Sequence, residues 1–399
     1  MVDMIPPQAN ARDTLPLGLL AAAGFLSSAG SRVIDPLISL IAHDFSVTVP
    51  AVSIIIAAFT LPYGLTQLAL GPISDRYGKL LVMVCALLGY AVFTTACATA
   101  ANLGALALLR ACAGASSAGL IPVCIAYIGD AVPYEQRQIT LSRFASGVVI
   151  AQIVAGPLGG AFGEFVGWRG VFLLLGAAGL VVAVMVAMRR RGLTDRRGGH
   201  TVAAATYRNL LARNDARQLL VATALEGALT GGVFPFVAPY LRVTFHLPYA
   251  VIGLVLACFG LGAFIYTRIA PRVVTRLEEP TLVLGGSLLV ATILAALMTS
   301  KSWLIFIPAQ VAIGFGYLML HTVMQSRASE LLPEARSTAV GLFVFMLFLG
   351  QGMGALAVGA SVGVWGYRVT LWLAAGGLVS LGVWLWDHMR RFPSLMQPA

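Results

Sequence analysis

Long apolar stretches separated by short polar breaks recur along the whole chain. Examples are Leu80–Ala101, Val171–Met188 and Leu282–Met298, each about the 20 residues that an α-helix needs to cross a hydrocarbon core of roughly 30 Å. The pattern predicts an all-α membrane protein with twelve transmembrane helices. Numbered 1 to 12 in chain order, they are expected at 15–41, 50–70, 80–100, 103–129, 139–163, 169–189, 217–241, 248–270, 280–299, 303–328, 338–363 and 369–388.

The longest polar break, at 190–216, divides the predicted helices into two sets of six. We therefore predict an N-terminal bundle at 1–189, a central cytoplasmic loop at 190–216 and a C-terminal bundle at 217–399. The halves also echo each other at an offset near 200 residues, since Gln152 in helix 5 corresponds to Gln351 in helix 11. Internal duplication of this kind is typical of transporters in which two bundles rock around a shared site.

Composition and charge support a membrane location. The chain is 59% hydrophobic and 11% charged, whereas a soluble domain carries about 25% charged residues. Twenty of the 26 Lys and Arg residues lie in the tails or toward alternate loops on one side. This asymmetry places both termini in the cytoplasm, so the net charge of +10 indicates topology and no nucleic-acid partner. We expect a multi-pass protein of the plasma membrane, with the bacterial inner membrane favoured.

A charged, glycine-containing segment follows predicted helix 2 and reads GPISDRYGK from Gly71 to Lys79. Glycines such as Gly71 and Gly78 allow helix backbones to approach closely. Asp75 can accept hydrogen bonds from a neighbouring helix N-terminus, and Arg76 and Lys79 are expected to stay at the anionic cytoplasmic surface. An ordinary basic turn is the alternative interpretation.

Helix 4 contains RACAGASSA from Arg110 to Ala118. A guanidinium inside the membrane costs at least about 2.5–3.5 kcal/mol unless it faces a cavity or a partner. Arg110 is therefore expected to have a functional role or to be bonded to neighbouring carbonyl groups.

Helix 5 contains GPLGG, in which Gly156, Gly159 and Gly160 surround Pro157. Proline removes a backbone donor and bends the helix, while the glycines permit tight contact with a partner helix.

These three segments resemble motifs of the major facilitator superfamily of secondary transporters. The resemblance covers nearly the whole chain, although Ala113 in helix 4 stands where the family often has glutamine. It implies two pseudo-symmetric six-helix bundles, a latch between them around Asp75 in the outward-open state, and a proton-coupling role for Arg110. The GPLGG segment resembles the motif of drug:proton antiporters and implies export, with a packing kink as the alternative. Family members usually act as monomers.

Helix 1 carries Ser28, Arg32, Asp35 and Ser39 at spacings of four, three and four residues. At 3.6 residues per turn they form one polar stripe, which must face the bundle interior. Asp35 precedes Pro36, whose ring disrupts the helical hydrogen bonds. Asp35 is our first candidate for a proton-carrying group, with Arg32 close enough to pair with it. A purely structural Asp35–Arg32 ion pair is the alternative.

Further polar residues are candidates for the substrate cavity or for coupling. Glu226 in helix 7 is expected to carry a second proton or bind a cationic substrate, or else to lie in water near the cytoplasmic end. His321 in helix 10 is a candidate because a histidine side chain can change its charge near neutral pH, although a lone histidine in a helix is more often a bonded structural residue. Aromatic rings with a few polar groups suit a bulky, largely apolar ligand. The cavity candidates are Tyr63, Gln67, Gln152, Tyr317, His321, Gln325 and Gln351.

The sequence thus favours a secondary transporter that exports small, drug-like organic molecules by proton antiport with alternating access. A uniporter or proton-coupled importer of a small metabolite such as an organic anion is one alternative, and a non-transporting membrane receptor or scaffold is another. The chain has no catalytic constellation or phosphate-binding loop, so we expect no enzyme. Its five cysteines lie in apolar spans without metal-ligand spacing. We therefore expect no metal and no cofactor besides the proton as coupling ion.

Overall fold

The computed structural model describes residues 14–190, 193, 204–332 and 336–391, and these residues are helical almost throughout. Eleven helices within them are long and apolar enough to span a membrane. The last, Arg336–Arg391, has 56 residues and would be about 80 Å long if straight, far more than a bilayer requires. Gly366, with a φ of +75°, divides it into two crossings. The described chain therefore crosses twelve times, as predicted.

The helix bounds are close to those predicted. Helices 1 to 6 are Leu17–Asp44, Val49–Tyr77, Lys79–Cys97, Leu103–Ala131, Tyr134–Phe165 and Trp168–Arg190. Helices 7 to 10 are Asn214–Phe245, Tyr249–Val274, Glu279–Leu297 and Trp303–Glu330, and helices 11 and 12 are 336–365 and 367–391. The central segment contains a further helix, Ala204–Ala212, while 191–192 and 194–203 lie outside the described residues.

Helix 2 is longer than predicted. It continues beyond residue 70 as an α-helix and ends at Tyr77, so most of the segment expected to be a loop is helical. The following residue, Gly78, has a φ of +95°, a conformation that glycine adopts without the strain a side chain would add. Gly78 therefore makes the tight turn into helix 3.

The number of crossings defines two faces of the molecule. Twelve crossings return the chain to the side on which it starts, so residue 17, the central segment and residue 391 share one side, here called the terminal face. The turns that follow helices 1, 3, 5, 7, 9 and 11 lie on the opposite face.

Helix 1 is broken in its middle, as the proline predicts. The α-helix Leu17–Arg32 gives way to a 3₁₀ turn at Asp35–Leu37 and resumes at Ile38–Asp44. Pro36 cannot donate a backbone hydrogen bond, and its ring clashes with the preceding turn. The break therefore places Asp35 at an irregular point of the backbone.

Helix 7 is broken at the equivalent place by Pro235, within a 3₁₀ turn at Phe234–Phe236. It also contains a π-helical turn at Gly227–Gly231, directly after Glu226. Single π-turns inside α-helices are rare and occur frequently at functional sites. The break and the π-turn together shape the wall that helix 7 presents to the bundle interior.

The packing of helices repeats between the halves at an offset of 200 residues. A Cβ added at Gly114 in helix 4 would lie 2.2 Å from the carbonyl oxygen of Phe59 in helix 2. One added at Gly314 in helix 10 would lie 2.0 Å from the carbonyl oxygen of Phe259 in helix 8. Helix 4 thus packs on helix 2 as helix 10 packs on helix 8.

The two halves touch each other mainly near the opposite face. Helix 2 runs along helix 11 from the opposite face, where a Cβ added at Gly359 would lie 2.6 Å from Ser53 Oγ, to the middle of the membrane, where the rings of Tyr63 and Phe348 lie 4.3 Å apart. Helix 5 lies against helix 8, whose Tyr249 donates its backbone N–H to Glu164 Oε2 at 2.7 Å. By contrast, no described atom lies within 4 Å of a Cβ added at Gly71 near the terminal face. The structure is therefore a form that is closed at the opposite face.

We predict that Gly314→Ala destabilises the protein by about 1–3 kcal/mol, because the added methyl group overpacks the contact with Phe259. Thermal unfolding in detergent measures the effect as a lower Tm. Gly376→Ala in helix 12 is the matched control, since a Cβ there meets no described atom within 4 Å. Equal Tm values for the two variants would contradict the packing argument.

Candidate functional site

Asp35 lies deep in the N-terminal half, next to Arg32. Asp35 is 2% exposed to solvent, and its Oδ2 lies 3.8 Å from Arg32 Nη1. That distance is too long for a good hydrogen bond, and within the described residues neither atom has a hydrogen-bond partner. Arg32 also lies over the ring of Phe234 in helix 7, 4.8 Å from its centroid. The pair therefore connects the break in helix 1 with the C-terminal half.

Arg110 is buried behind this pair. Its Nη1 donates to the carbonyl oxygen of Gly30 in helix 1 at 2.8 Å, and the guanidinium lies over Phe59, 4.2 Å from the ring centroid. It is close enough to Asp35 for the two charges to interact. Arg110 thus has the backbone bond that a structural arginine requires, and its charge also acts on the coupling candidate.

Glu226 and His321 form a buried pair that the sequence analysis did not connect. Glu226 is fully buried, and its Oε1 lies 2.9 Å from His321 Nδ1, while its Oε2 has no partner among the described atoms. The expectation that Glu226 could lie in water is therefore wrong. The His321 ring stacks on Tyr317 with centroids 5.2 Å apart. The pair joins helices 7 and 10, so no spacing within a single helix could have indicated it.

A narrow pocket that is partly open to solvent lies beside these groups. Helices 7, 8, 9 and 10 form it, and Arg32 from helix 1 adds the one charged side chain in its described lining. Tyr317, Gln310 and Thr230 are its other polar residues. The apolar lining consists of Leu229, Val233, Phe234, Val237, Phe259, Val290, Leu294 and Ile313. Such a pocket suits a largely apolar ligand with few polar groups.

The other predicted cavity residues do not line this pocket. Gln67 donates to the carbonyl oxygen of Ala118 at 3.0 Å, and Gln152 donates to Ser28 Oγ at 3.3 Å. Tyr63 is buried, and its ring packs at a tilt against that of Phe348 between helices 2 and 11. Gln351 packs against Gly231 of the π-turn, and Gln325 is exposed. These residues hold helices together or lie elsewhere on the surface.

Comparison with known proteins decides the family. A family model described as Major Facilitator Superfamily matches residues 20–214 and 219–394, which together are nearly the whole chain. The chain belongs to the Major Facilitator Superfamily. It is therefore a membrane transporter and not an enzyme.

Individual relatives agree with this assignment. The chain is 25% identical over 346 residues to the uncharacterized MFS-type transporter YceJ of Bacillus subtilis, covering 84% of this chain and 86% of that one. It is 27% identical over 387 residues to a chloramphenicol resistance protein of Streptomyces lividans, covering 92% and 94%. Its fold matches the inward-facing, unoccupied crystal structure of a bacterial homolog to the human lysosomal transporter Spinster, with a TM-score of 0.82, 18% identity and coverage of 96% and 98%.

The superfamily-like motif in helix 5 packs tightly on both halves. A Cβ at Gly159 would lie 2.1 Å from the carbonyl oxygen of Val33, at the break in helix 1. One at Gly160 would lie 2.3 Å from the carbonyl oxygen of Tyr249 in helix 8, and one at Gly156 would lie 2.7 Å from that of Gly253. Helix 5, with Pro157 inside it, is thus held directly between the site of Asp35 and the other half.

The motif at the end of helix 2 differs from expectation in two respects. Gly71 makes no close helix contact, because an added Cβ there would face open space among the described residues. Lys79 begins helix 3 at the terminal face, as expected, but it is buried there, since it is 6% exposed and pairs with Asp75, at 3.7 Å, and with Asp130. Asp75 is therefore paired within its own half in this form, and Arg76 lies over the ring of Tyr77.

We predict that Arg110→Lys lowers the free energy of unfolding by about 1–3 kcal/mol, because lysine cannot both stack flat on Phe59 and reach the Gly30 carbonyl. The Tm of the purified protein in detergent measures this loss. Arg143→Lys, at an exposed position in helix 5, serves as the control. An Arg110→Lys variant as stable as this control would show that the bond and the stacking contribute little.

Proposed function

We propose that this transporter exports small, largely apolar organic molecules in exchange for protons, by alternating access of its two six-helix bundles. The observation that carries the proposal is the buried carboxylate of Asp35, one oxygen of which accepts no hydrogen bond from the described residues, beside the arginine that lines the pocket. Ionisable groups at membrane depth are costly and mark ion or proton pathways. The resemblance of the helix 5 segment to the drug:proton antiporter motif and the name of the Streptomyces lividans relative support export.

Competition between proton and substrate would provide the exchange. With Asp35 ionised, its charge offsets that of Arg32 at 3.8 Å, and the pair contributes no net charge beside the pocket. An apolar ligand can then bind beside the pair. With Asp35 protonated, Arg32 lacks its counter-charge, and an apolar ligand next to it would bury an uncompensated cation at high cost. Each state of the carrier would therefore take a proton or a substrate, but not both.

The balance of charges also favours this reading over the import of an organic anion. Arg32 is the one charged side chain in the described lining of the pocket, and Asp35 stands beside it. An anionic substrate would have to displace Asp35 from Arg32, whereas a neutral substrate would leave the pair intact. The rest of the lining is aromatic or aliphatic apart from Gln310, Thr230 and Tyr317.

We place the protein in a bacterial plasma membrane, as a monomer with its terminal face in the cytoplasm. The support is the excess of Lys and Arg on that side, which orients membrane proteins during insertion, together with bacterial relatives of similar length. With this orientation the structure, closed at the opposite face, corresponds to an inward-facing form.

We predict that Asp35→Asn abolishes export driven by a pH gradient while the protein still folds, because asparagine keeps the shape of the side chain but cannot exchange a proton. A growth-inhibition panel of aromatic antibiotics that includes chloramphenicol compares cells with the wild type, the variant and no transporter. Uptake into everted vesicles, with and without a pH gradient, is then measured for a compound to which the transporter confers resistance. This measurement tests proton coupling directly.

The control for this experiment is Asp387→Asn, which removes an exposed carboxylate that pairs with Arg391 at the end of helix 12. It should retain resistance and proton-driven uptake. Full proton-driven transport by Asp35→Asn would remove Asp35 from the mechanism. Resistance to no compound in the panel would oppose drug-like export as the function.

We further propose that the Glu226–His321 pair takes a second proton in each cycle. With Glu226 ionised, neutral His321 donates from Nδ1 to Glu226 Oε1, and its other nitrogen is free to accept a proton from the pathway. The resulting imidazolium is then stabilised by the adjacent carboxylate at 2.9 Å. His321 is partly exposed while Glu226 is not, so the histidine is the point of proton entry.

We predict that His321→Gln makes the export rate depend less steeply on proton concentration. The number of protons exchanged per cycle should fall from about two toward one. The glutamine amide can still donate to Glu226 but cannot take up a proton. Initial export rates across a pH series in vesicles give this dependence. His43→Gln, at an exposed site on the opposite face, should leave it unchanged. An unaltered slope in His321→Gln would assign the pair a structural role.

A further inference from the structure

Helices 4 and 10 carry unlike residues at equivalent positions. Gly114 and Gly314 make the same contact in the two halves, against the backbone of Phe59 and of Phe259. Four residues before each glycine, helix 4 has Arg110 and helix 10 has Gln310. Arg110 and Gln310 therefore occupy structurally equivalent positions in the two bundles.

In the N-terminal half, Arg110 uses its position to hold the bundle together. Its guanidinium spans from helix 4 to the backbone of Gly30 in helix 1 and covers the ring of Phe59. The long side chain thus occupies the space between helices 1, 2 and 4.

In the C-terminal half, Gln310 is shorter and neutral, and its side chain is part of the lining of the pocket. Leu229 and Thr230, which stand 199 and 200 residues after Gly30, also line this pocket. The Gly30 carbonyl, which binds Arg110 in the N-terminal half, thus corresponds to the backbone at Leu229 and Thr230, which line the pocket in the C-terminal half. The pocket occupies the region into which an arginine at position 310 would extend.

Gln310 is fully buried, and neither its Nε2 nor its Oε1 has a hydrogen-bond partner in the part of the chain that the structure describes. A buried donor or acceptor that lacks a partner is costly, whereas an apolar side chain of similar shape avoids that cost. An amide in this position is therefore suited to pair with a polar group that enters the pocket. The amide offers one donor group and one acceptor on the same planar end.

We propose that Gln310 is the hydrogen-bonding anchor of the substrate, and that the substrates are neutral aromatic molecules with a carboxamide-type group. A carboxamide has an acceptor and a donor side by side, so it can pair with both atoms of the Gln310 amide. The rings of Phe234, Phe259 and Tyr317 line the pocket and provide faces and edges for an aromatic body. This assignment rests on the proposal that the pocket is the transport site.

The charged neighbours favour a neutral ligand. Arg32 is partnered by Asp35 at 3.8 Å and lies over Phe234, so the two ionised groups together contribute no net charge. A carboxylate would disturb that balance, and it also lacks the donor that the Gln310 carbonyl requires. A ketone likewise has an acceptor without a donor. The amide is the group that satisfies both atoms of Gln310.

The test measures binding of three compounds of equal shape to the purified full chain in detergent, by calorimetry and without a pH gradient. The compounds are biphenyl-4-carboxamide, 4-acetylbiphenyl and biphenyl-4-carboxylate. We expect the wild type to bind the carboxamide about tenfold more tightly than the ketone or the carboxylate, since each of these leaves part of Gln310 unpaired. Gln310→Leu and Gln310→Met should both lose this preference.

Controls separate a lost contact from a damaged fold. Gln136→Leu makes the same substitution at an exposed site in the first turn of helix 5 and should keep the carboxamide preference. Without ligand, Gln310→Leu should melt at or above the wild-type temperature, because it removes an unpaired buried amide. Gln310→Met provides a second, unbranched side chain should leucine pack poorly.

Three results would overturn the assignment: a wild type without a carboxamide preference, a wild type that prefers the carboxylate, or a preference that survives in both Gln310 variants. Because binding is measured at equilibrium, the result does not depend on proton coupling. Proton-driven transport that is independent of Asp35 would remove Asp35 from the coupling mechanism and leave the Gln310 assignment standing. Failure of the Gln310 assignment would likewise leave the coupling proposal intact.

Discussion

A charged group inside a bilayer must find its compensation within the protein, and this constraint organises the interior of this transporter. Water and lipid headgroups can stabilise charges at the surface, but hydrocarbon cannot. Asp35, Arg32 and Arg110 consequently gather around the break in helix 1, where carbonyl groups, aromatic rings and opposite charges are available. Glu226 obtains its compensation from His321 across two helices of the other half. The interiors of the two bundles thus differ mainly in where their ionisable side chains lie, and less in the apolar side chains that surround them.

Close backbone contact provides the framework on which these groups are held. Lipid tails are as apolar as leucine side chains, so burial of apolar surface does little to bring transmembrane helices together. Small residues at the crossings allow backbone atoms to meet instead, as at Gly114, Gly159 and Gly314. Helix 5 uses such contacts on two sides, toward helix 1 and toward helix 8. Helix 5 therefore contacts both the backbone next to Asp35 and the other bundle.

Much of this architecture could be predicted from the sequence because it follows from local rules. The helix count follows from the length of the apolar stretches, and the break in helix 1 follows from Pro36. The continuation of helix 2 to Tyr77 was missed because polar residues at the membrane surface are compatible with either a helix or a loop. The burial of Lys79 was missed because it depends on Asp130 in helix 4. Pairings between helices that are distant in sequence require the fold itself.

The candidate site was predictable residue by residue but not as an arrangement. Glu226 and His321 were each recognisable as polar residues in apolar helices, but their contact depends on how helices 7 and 10 pack. Gln310 is a polar residue within the apolar stretch of helix 10, yet its unpaired amide is a property of its surroundings. The comparison of Arg110 with Gln310 likewise needs the equivalent glycine contacts of both halves, which a sequence offset alone does not establish.

The π-turn at Gly227–Gly231 has a consequence for the geometry of helix 7. A π-turn accommodates one residue more than an α-helical turn, and in an α-helix each residue accounts for a rotation of about 100°. If the turn rewound into regular α-helix, everything beyond residue 231 would swivel by that angle relative to Glu226. Phe234 would then leave Arg32, and the aromatic wall would face another direction. The one extra residue in the π-turn of helix 7 therefore determines how Glu226 is oriented relative to the pocket lining that follows residue 231.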